Sequence, residues 1–376
     1  MNPLVAIHDF GQSIWLDYIR RNILHNGELQ RLITEDGLRG VTSNPAIFEK
    51  AIAGSDDYAD DIRKFAQEGL SADEIYAKLA VADVQQACDL LRPLYDHPEN
   101  GGDGYVSLEV SPELVHDTEG TVAEGLHFWK QVDRPNVMIK VPATLAGLPA
   151  IRQLIAAGVN VNVTLIFSVE RYRAVAEAYI AGLEDRVKAG GSVKRLDSVA
   201  SFFLSRIDVL IDPKLEQLAA EGGEKGELAQ SLVGEVAIAS AKRAYEVFEE
   251  IFAGPRWEDL KAQGAQPQRL LWASTGNKNP KYDDLKYVEA LIGPNTVNTI
   301  PVETLDFYRA KGKPANRLAD KQEIAVLDRL PELGIDLEAL TNQLEQEGAQ
   351  KFTEPFGKLM NVLEQKRQEA LAGATA

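Results

Sequence analysis

The chain has 376 residues, of which 45% are hydrophobic and 26% charged, a mixture typical of a folded globular protein. Forty Lys and Arg against 57 Asp and Glu give a net charge of −17, which argues against nucleic-acid and membrane-surface partners. Cys88 is the single cysteine, so no disulfide can form within the chain, and no apolar run is long enough to span a bilayer. We therefore expect a cytoplasmic protein.

Short apolar stretches alternate with helix-patterned segments along the chain. The predicted strands are Ser13–Asp17, Gly40–Asn44, Tyr105–Val110, Val137–Val141, Val161–Ile166, Ser198–Phe203, Arg269–Ser274 and Thr296–Pro301. A strand–helix unit repeated eight times is typical of an α/β protein with a (β/α)8 TIM barrel, and a doubly wound sheet is the main alternative. Because no linker rich in Pro, Gly or Ser divides the chain, we predict a single barrel domain over residues 1–376.

Helix start and stop signals separate these strands. Ser71 opens a capping box ahead of a long helix, and glycines end the helices predicted at Gly147–Ala157 and Ser168–Ala189. Asn279-Pro280 is predicted to start the helix after strand seven.

Two regions of the chain contain more helical segments than a minimal (β/α)8 barrel requires. Between strands six and seven, Pro213–Gly264 is predicted to be a helical insertion that includes a helix at Leu228–Phe252. After strand eight, extra C-terminal helical segments are expected at Val302–Lys311, Asp320–Leu330, Leu337–Gln346 and Thr353–Leu371.

The stretch from Asn136 to Thr144 reads as a buried strand, because apolar residues fill it and Pro142 closes it. Lys140 breaks this pattern, since lysine is rarely buried unless it is paired. Such breaks tend to mark functional sites. A lysine whose head group reaches solvent is the alternative, and this strand alone does not decide between the two.

Side-chain alternation separates two faces on each predicted strand. One face is apolar and suits the helices outside a barrel, whereas the other is mixed and suits the interior. The polar residues on the mixed faces are Asp17, Thr42, Asn44, Ser107, Glu109, Lys140, Asn160, Asn162, Thr164, Thr296 and Asn298. They concentrate toward the C-terminal ends of the strands, where barrel enzymes place their chemistry. The set therefore indicates a site, although any single Asn or Thr could instead be a hydrogen-bonding residue of the fold.

A lysine in a largely apolar interior suggests covalent chemistry. Burial disfavours the ammonium form, and the free amine can attack a carbonyl to form a Schiff base. Glu109 is suited to move protons through a water that Thr164 helps to hold, and Asp17 could serve a substrate hydroxyl. The alternative is a plain ion pair between Glu109 and Lys140, which would keep the lysine charged and inert.

No metal site is predicted, because the histidines are scattered without the spacing of metal ligands. They are His8, His25, His97, His116 and His127. Cys88 lies in a helical pattern, and we expect it to be a small core residue rather than a nucleophile.

Four segments resemble the signature strands of the transaldolase family. They are Thr42-Ser43-Asn44-Pro45, Ser107-Leu108-Glu109-Val110, the stretch from Ile139 to Thr144 and the stretch from Asn162 to Ser168. The similarity extends in order from Asp17 to Pro301, and the long chain resembles the long bacterial branch. This resemblance implies a barrel of the class I aldolase type that needs no cofactor. It would move a dihydroxyacetone unit from sedoheptulose 7-phosphate to glyceraldehyde 3-phosphate, giving erythrose 4-phosphate and fructose 6-phosphate in the pentose phosphate pathway.

The resemblance also implies roles by position. Lys140 corresponds to the Schiff-base lysine, Glu109 and Thr164 to the pair that holds the catalytic water, and Asp17 to the acid/base at the scissile bond. The substrate-binding positions are Asn44 and Asn162 for the dihydroxyacetone hydroxyls, Ser201 and Phe203 beside the substrate, and Arg206 for the phosphate.

One position departs from the family. Short members carry Ser-x-Arg after strand seven. Ser274 keeps the place of this serine as a substrate-binding residue, whereas no arginine follows it here. We assign Lys278 to the phosphate as a point charge, with an exposed loop lysine as the alternative.

Two other functions stay open on the sequence. A fructose 6-phosphate aldolase would use the same lysine and release free dihydroxyacetone, but such chains are usually much shorter. A barrel that binds sugar phosphates without catalysis would have Lys140 locked by Glu109. In each case the expected partners are phosphorylated sugars, with monomer or homodimer left undecided.

Overall fold

The computed structural model describes residues 2–97 and 102–373. Its centre is a closed barrel of eight parallel strands that pair in chain order, with the last strand beside the first. The strands are β1 (Gln12–Asp17), β2 (Gly40–Thr42), β3 (Tyr105–Glu109), β4 (Val137–Pro142), β5 (Val161–Ile166), β6 (Ser198–Phe203), β7 (Arg269–Ala273) and β8 (Thr296–Ile300). The predicted (β/α)8 barrel is confirmed, and the predicted strands match the observed ones to within about two residues at either end.

Helices surround this barrel. Up to β3 they are α1 (Pro3–Ala6), α2 (Arg21–His25), α3 (Glu28–Glu35), α4 (Pro45–Ala53), α5 (Ala59–Gln67) and α6 (Ala72–Asp96). Between β3 and β7 they are α7 (Thr118–Val132), α8 (Gly147–Ala157), α9 (Val169–Lys188), α10 (Ser205–Glu221), α11 (Gly223–Leu232), α12 (Val236–Ile251) and α13 (Pro255–Lys261). The remaining helices are α14 (Lys286–Ala290), α15 (Val302–Lys311), α16 (Ala325–Arg329) and α17 (Leu337–Gly373). Short 3-10 helices occupy Ile7–Phe10, Pro112–Leu114, Gln322–Ile324 and Leu330–Leu333. Among the described residues, no helix is both long and apolar enough to cross a membrane.

Local sequence signals predicted several helix ends correctly, but two of the predicted helices differ from the structure. The capping box at Ser71 is present, since its hydroxyl and the Glu74 carboxylate each accept the other residue's backbone N–H. The predicted helix Leu228–Phe252 is wrong, because the chain breaks between α11 and α12 at Gly234, which has φ of 79°. The helix predicted to start at Asn279 is also wrong: α14 begins seven residues later, after a loop whose backbone carbonyls are held by the side-chain amide of Asn277.

The C-terminal region forms one long helix where two were predicted. Residues Leu337–Gly373 are continuous through Pro355, although a proline inside a helix costs about 3 kcal/mol. Phe352, Phe356 and Leu359 bury their side chains around this proline. Burying a large apolar side chain is worth about 1.5–3 kcal/mol, so packing against the barrel offsets the local cost.

The N-terminal end of the barrel interior is a packed floor. Trp15 of β1 fills it, and a Cβ added at Gly40 would lie 2.5 Å from the indole ring. Arg269 donates to Ser13 at 3.0 Å and to Asp103 at 3.2 Å, which neutralises the charges at this end. The open end of the barrel is therefore the C-terminal one.

The faces of β8 are the reverse of the prediction. Thr299 lies inside, with its hydroxyl 2.6 Å from that of Thr42, whereas Asn298 is in register with Ile14 and Trp272 on the outer face. The predicted interior positions of Thr296 and Asn298 are thus wrong. Both faces of this short strand carry polar residues, so polarity alone cannot distinguish inside from outside.

Candidate active site

A cavity opens at the C-terminal ends of the barrel strands, between the loops that follow them. Nine of the eleven predicted site residues line it: Asp17, Asn44, Lys140, Thr164, Ser201, Phe203, Arg206, Ser274 and Lys278. The other two, Glu109 and Asn162, lie beneath the cavity against residues that line it. The cavity also includes Thr42, Thr299 and Phe352, which the sequence reasoning did not assign.

Lys140 is held at the bottom of this cavity with 5% of its surface exposed, so its head group does not reach bulk solvent. Glu109 and Lys140 are directly paired on the adjacent strands β3 and β4, which brings their side chains together. The Lys140 Nζ lies 3.0 Å from Oε2 of Glu109 and donates a hydrogen bond of 3.1 Å to the backbone carbonyl of Ser43. The ring centroid of Phe352 lies 5.7 Å from the same nitrogen.

The carboxyl of Glu109 is buried beside Lys140. Burial raises the pKa of its carboxyl above the ordinary value; the charge of Lys140 opposes this shift and that of Asp17 adds to it. Within the described chain, the hydroxyl of Thr164 is buried without a hydrogen-bond partner, and Oε2 of Glu109 has no partner other than the Lys140 ammonium. Two such atoms beside a lysine can together hold a water molecule.

Asp17 enters the cavity from β1, across the barrel from Lys140. Burial raises its pKa, while the charge of Lys140, a hydrogen bond from Thr42 and the charge of Lys278 oppose the rise. The Thr42 hydroxyl donates to Oδ1 of Asp17 at 2.8 Å and also contacts the hydroxyl of Thr299 at 2.6 Å. The signal for Thr42 was present in the sequence, because it shares the interior face of the neighbouring strand.

A chain of polar side chains runs beneath the cavity. The Asn162 amide donates to the Ser107 hydroxyl at 2.9 Å, and its carbonyl oxygen accepts from Ser201 at 2.7 Å. Both the nitrogen and the oxygen of the Asn162 side-chain amide are therefore hydrogen-bonded within the protein, which fixes the orientation of this side chain. Asn44 caps α4 through its Oδ1, which accepts from the Ile47 N–H at 3.0 Å and leaves the side-chain NH2 for a ligand.

Positive charge collects at one side of the cavity. Arg206, in the first turn of α10, lies 5.6 Å from the ring of Phe203, and burial lowers its pKa. Its Nη1 is buried without a hydrogen-bond partner among the described residues. Ser274, in the left-handed region with φ of 54°, contacts the Ser205 hydroxyl at 2.9 Å. A guanidinium that makes no ion pair among the described residues is suited to an anion such as phosphate, whose oxygens can accept two parallel N–H bonds.

Lys278 lies on the loop after β7 and is exposed, but it lines the cavity. Its ammonium lies about 4 Å from the position that a Cβ at Gly276 would take. The positive charge of Lys278 acts to lower the pKa of Asp17. This placement keeps its ammonium within reach of a ligand in the cavity.

The end of β5 departs from regular alternation. The register with β6 shifts between Val163 and Ile166, and Leu165 has φ of 61°, a strained value for a bulky residue. A Cβ added at Gly348 of α17 would lie 3.2 Å from the Leu165 side chain, so the long helix approaches the barrel closely here.

The described residues contain no group of three His, Cys, Asp or Glu side chains that could hold a metal ion. Cys88 is buried in α6 with its thiol 3.8 Å from the Asn136 carbonyl, and burial raises the pKa of the thiol. Cys88 is therefore a core residue, as predicted.

The fold and the site define a (β/α)8 barrel with a buried lysine–carboxylate pair under a cavity that has positive charge on one side. Residues 14–363 match the family described as Transaldolase/Fructose-6-phosphate aldolase. Similar proteins include Transaldolase 2 of Nostoc sp., 46% identical over 373 residues, with 97% of this chain and 98% of that protein covered. Transaldolase of Saccharopolyspora erythraea is 47% identical over 98% of each chain, and that of Trichodesmium erythraeum is 47% identical over 97% of each. The chain belongs to the transaldolase/fructose-6-phosphate aldolase family, and it is an enzyme of the transferase class.

Proposed function

We propose that this enzyme moves a dihydroxyacetone unit from sedoheptulose 7-phosphate to glyceraldehyde 3-phosphate, in the pentose phosphate pathway, through a Schiff base on Lys140. The products are erythrose 4-phosphate and fructose 6-phosphate. The observation that carries the proposal is the 3.0 Å contact between Lys140 and Glu109 at the base of the cavity. It supplies a nucleophile and a proton acceptor at one point.

The same contact also bears on the alternative in which an ion pair with Glu109 keeps Lys140 charged and inert. Two opposite charges in a buried site are costly to desolvate, and one proton moved from Nζ to Oε2 makes both groups neutral. The raised pKa of Glu109 favours that transfer. The free amine then attacks the ketone carbonyl of the donor, and protonated Glu109 helps the carbinolamine to lose its hydroxyl as water.

Asp17 completes the cleavage step. Its carboxylate takes the proton from the hydroxyl next to the scissile carbon–carbon bond, the bond breaks, and the electron pair moves into the iminium to give an enamine on Lys140. The aldehyde product leaves and the acceptor aldehyde enters. The enamine carbon attacks this aldehyde, and Asp17 returns its proton to the new alkoxide. Water then adds to the resulting iminium, and the carbon–nitrogen bond breaks to release fructose 6-phosphate and the free lysine amine.

The remaining predicted residues fit substrate binding. Asn44 and Ser201 present polar groups to the cavity for the dihydroxyacetone hydroxyls, with Asn162 supporting Ser201 from below. Phe203 supplies an apolar wall. Arg206, Ser274 and Lys278 form the positive side suited to the phosphate, which the net charge of −17 would otherwise repel.

Borohydride reduction in the presence of fructose 6-phosphate tests the mechanism. The expected result is a mass gain on the peptide that carries Lys140, and loss of both the gain and the turnover in Lys140→Ala. Lys242 is an internal control, because it is 2% exposed and paired with Glu323 at 2.7 Å outside the cavity; its peptide should gain no mass. An unlabelled Lys140 would favour a barrel that only binds sugar phosphates. Sustained release of dihydroxyacetone without an acceptor would favour an aldolase instead.

A further inference from the structure

The long helix α17 lies across the mouth of the barrel and is held at three places. Glu345 pairs with Arg171 of α9 at 2.9 Å, and Gly348 sits against the end of β5. Farther along, the Lys366 ammonium donates to the Ile52 carbonyl of α4 at 3.2 Å. The helix therefore spans the cavity from one side to the other.

Phe352 is the side chain that α17 places over the reactive lysine. It lines the cavity, is 6% exposed, and its ring centroid lies 5.7 Å from the Lys140 nitrogen. The ring offers no proton donor or acceptor, so it has no part in the proton transfers assigned to Glu109 and Asp17. Its position over Lys140 shields that nitrogen from the solvent side of α17.

Shielding has a chemical consequence for the enamine on Lys140. If its carbon is protonated in place of attacking an aldehyde, the result is an iminium. Water then adds to the iminium carbon, the carbon–nitrogen bond breaks, and the products are free dihydroxyacetone and the lysine amine. Transfer therefore competes with protonation of the enamine carbon, and excluding bulk water from a closed site suppresses such side reactions.

We propose that Phe352 is a specificity-determining residue that keeps bulk water, as a source of protons, from the enamine carbon of the Lys140 adduct and so favours transfer over release of dihydroxyacetone. This inference rests on the proposed function. It assigns to the C-terminal helix a part in deciding which of the two activities joined in the family description this chain performs.

The test compares Phe352→Ala with Phe356→Ala, one turn farther along the same helix. Both phenylalanines are 6% exposed, but Phe356 packs on Tyr76 with ring centroids 5.4 Å apart, away from the cavity. Dihydroxyacetone release from fructose 6-phosphate without acceptor is measured against transfer to erythrose 4-phosphate. We expect Phe352→Ala to raise the ratio of release to transfer by about tenfold or more, a change of roughly 1.4 kcal/mol in relative barrier height. Phe352→Leu should keep the ratio near that of the unmodified enzyme, and Phe356→Ala should leave it unchanged.

An unchanged ratio in Phe352→Ala, with borohydride labelling of Lys140 intact, would overturn the inference and leave the proposed function standing. An equal rise in Phe356→Ala would also overturn it, because loosening of the helix would then be the cause. If Phe352→Ala does not fold, Phe352→Ser and Phe352→Val decide the question by the same ratio. Absence of labelling in the unmodified enzyme would instead refute the Schiff base itself.

Discussion

Lys140 and Glu109 meet at 3.0 Å between their charged atoms, with 6% and 5% of their side chains exposed. The register of β3 and β4 places them side by side, so the contact follows from strand pairing. A buried ion pair gains little stability over apolar residues of similar size, because desolvation offsets the attraction. A functional reason for keeping it is that the pair can exchange a proton.

Glu109→Gln tests that exchange. Glutamine cannot accept the lysine proton, so kcat/KM should fall by roughly 10²–10⁴-fold. In the unmodified enzyme the active pair of Glu109 and Lys140 shares one proton, and a second proton makes it inactive. The raised pKa of Glu109 means that activity is lost as pH falls through a range above that of an ordinary glutamate, about 4.3. The pH profile of kcat/KM should lose this acidic limb in Glu109→Gln. If the acidic limb persisted unchanged in Glu109→Gln, a group other than Glu109 would be responsible for it.

Thr42 is expected to position Asp17. Thr42→Val removes the 2.8 Å hydrogen bond that opposes the rise in the Asp17 pKa, so the carboxylate form should require higher pH. Turnover at neutral pH should fall on the order of tenfold, in line with about 1.5–3 kcal/mol for a hydrogen bond to a charged group. Thr42→Ser keeps the hydroxyl and should restore the pH profile. Equal profiles for the valine and serine variants would show that the hydroxyl does not act on Asp17.

Arg206 should act in binding rather than in turnover. Removing its guanidinium in Arg206→Ala should raise KM for phosphorylated donors by roughly 10–100-fold with little change in kcat, from about 1.5–3 kcal/mol per charged hydrogen bond. Lys278→Ala should have a smaller effect, because this lysine is exposed and offers only a point charge. Steady-state kinetics with fructose in place of fructose 6-phosphate is the control, and there the two variants should match the unmodified enzyme. A lower kcat at constant KM would place Arg206 outside the phosphate site.

Two glycine substitutions should change stability in opposite directions. In Gly40→Ala the new methyl group would lie 2.5 Å from the Trp15 ring, and overpacking of this kind costs about 1–3 kcal/mol. Gly357 is exposed in α17 with no heavy atom within 4 Å of an added Cβ, so Gly357→Ala should stabilise by about 0.5–1 kcal/mol. Calorimetric Tm values measure both. A Gly40→Ala variant as stable as the original would mean that the floor of the barrel can shift to accept the methyl group.

Much of the barrel could be predicted from local patterns. The alternation of side chains placed Asp17, Glu109 and Lys140 on the interior face, because a strand has two faces and charged residues mark the inner one here. Helix α8 was predicted with its observed bounds, since Gly158 ends it in the left-handed conformation. Such signals act over a few residues and need no knowledge of distant parts of the chain.

Other features depend on contacts between residues far apart in the chain. The inner face of β8 follows from its register with β1, which no charge in the strand reveals. Helix α17 runs through Pro355 because the buried faces of Phe352 and Phe356 outweigh the lost backbone hydrogen bond. The placement of Phe352 over Lys140 joins the last helix to the fourth strand. Side-chain packing of that kind is set by the whole fold, and no periodicity in the chain encodes it.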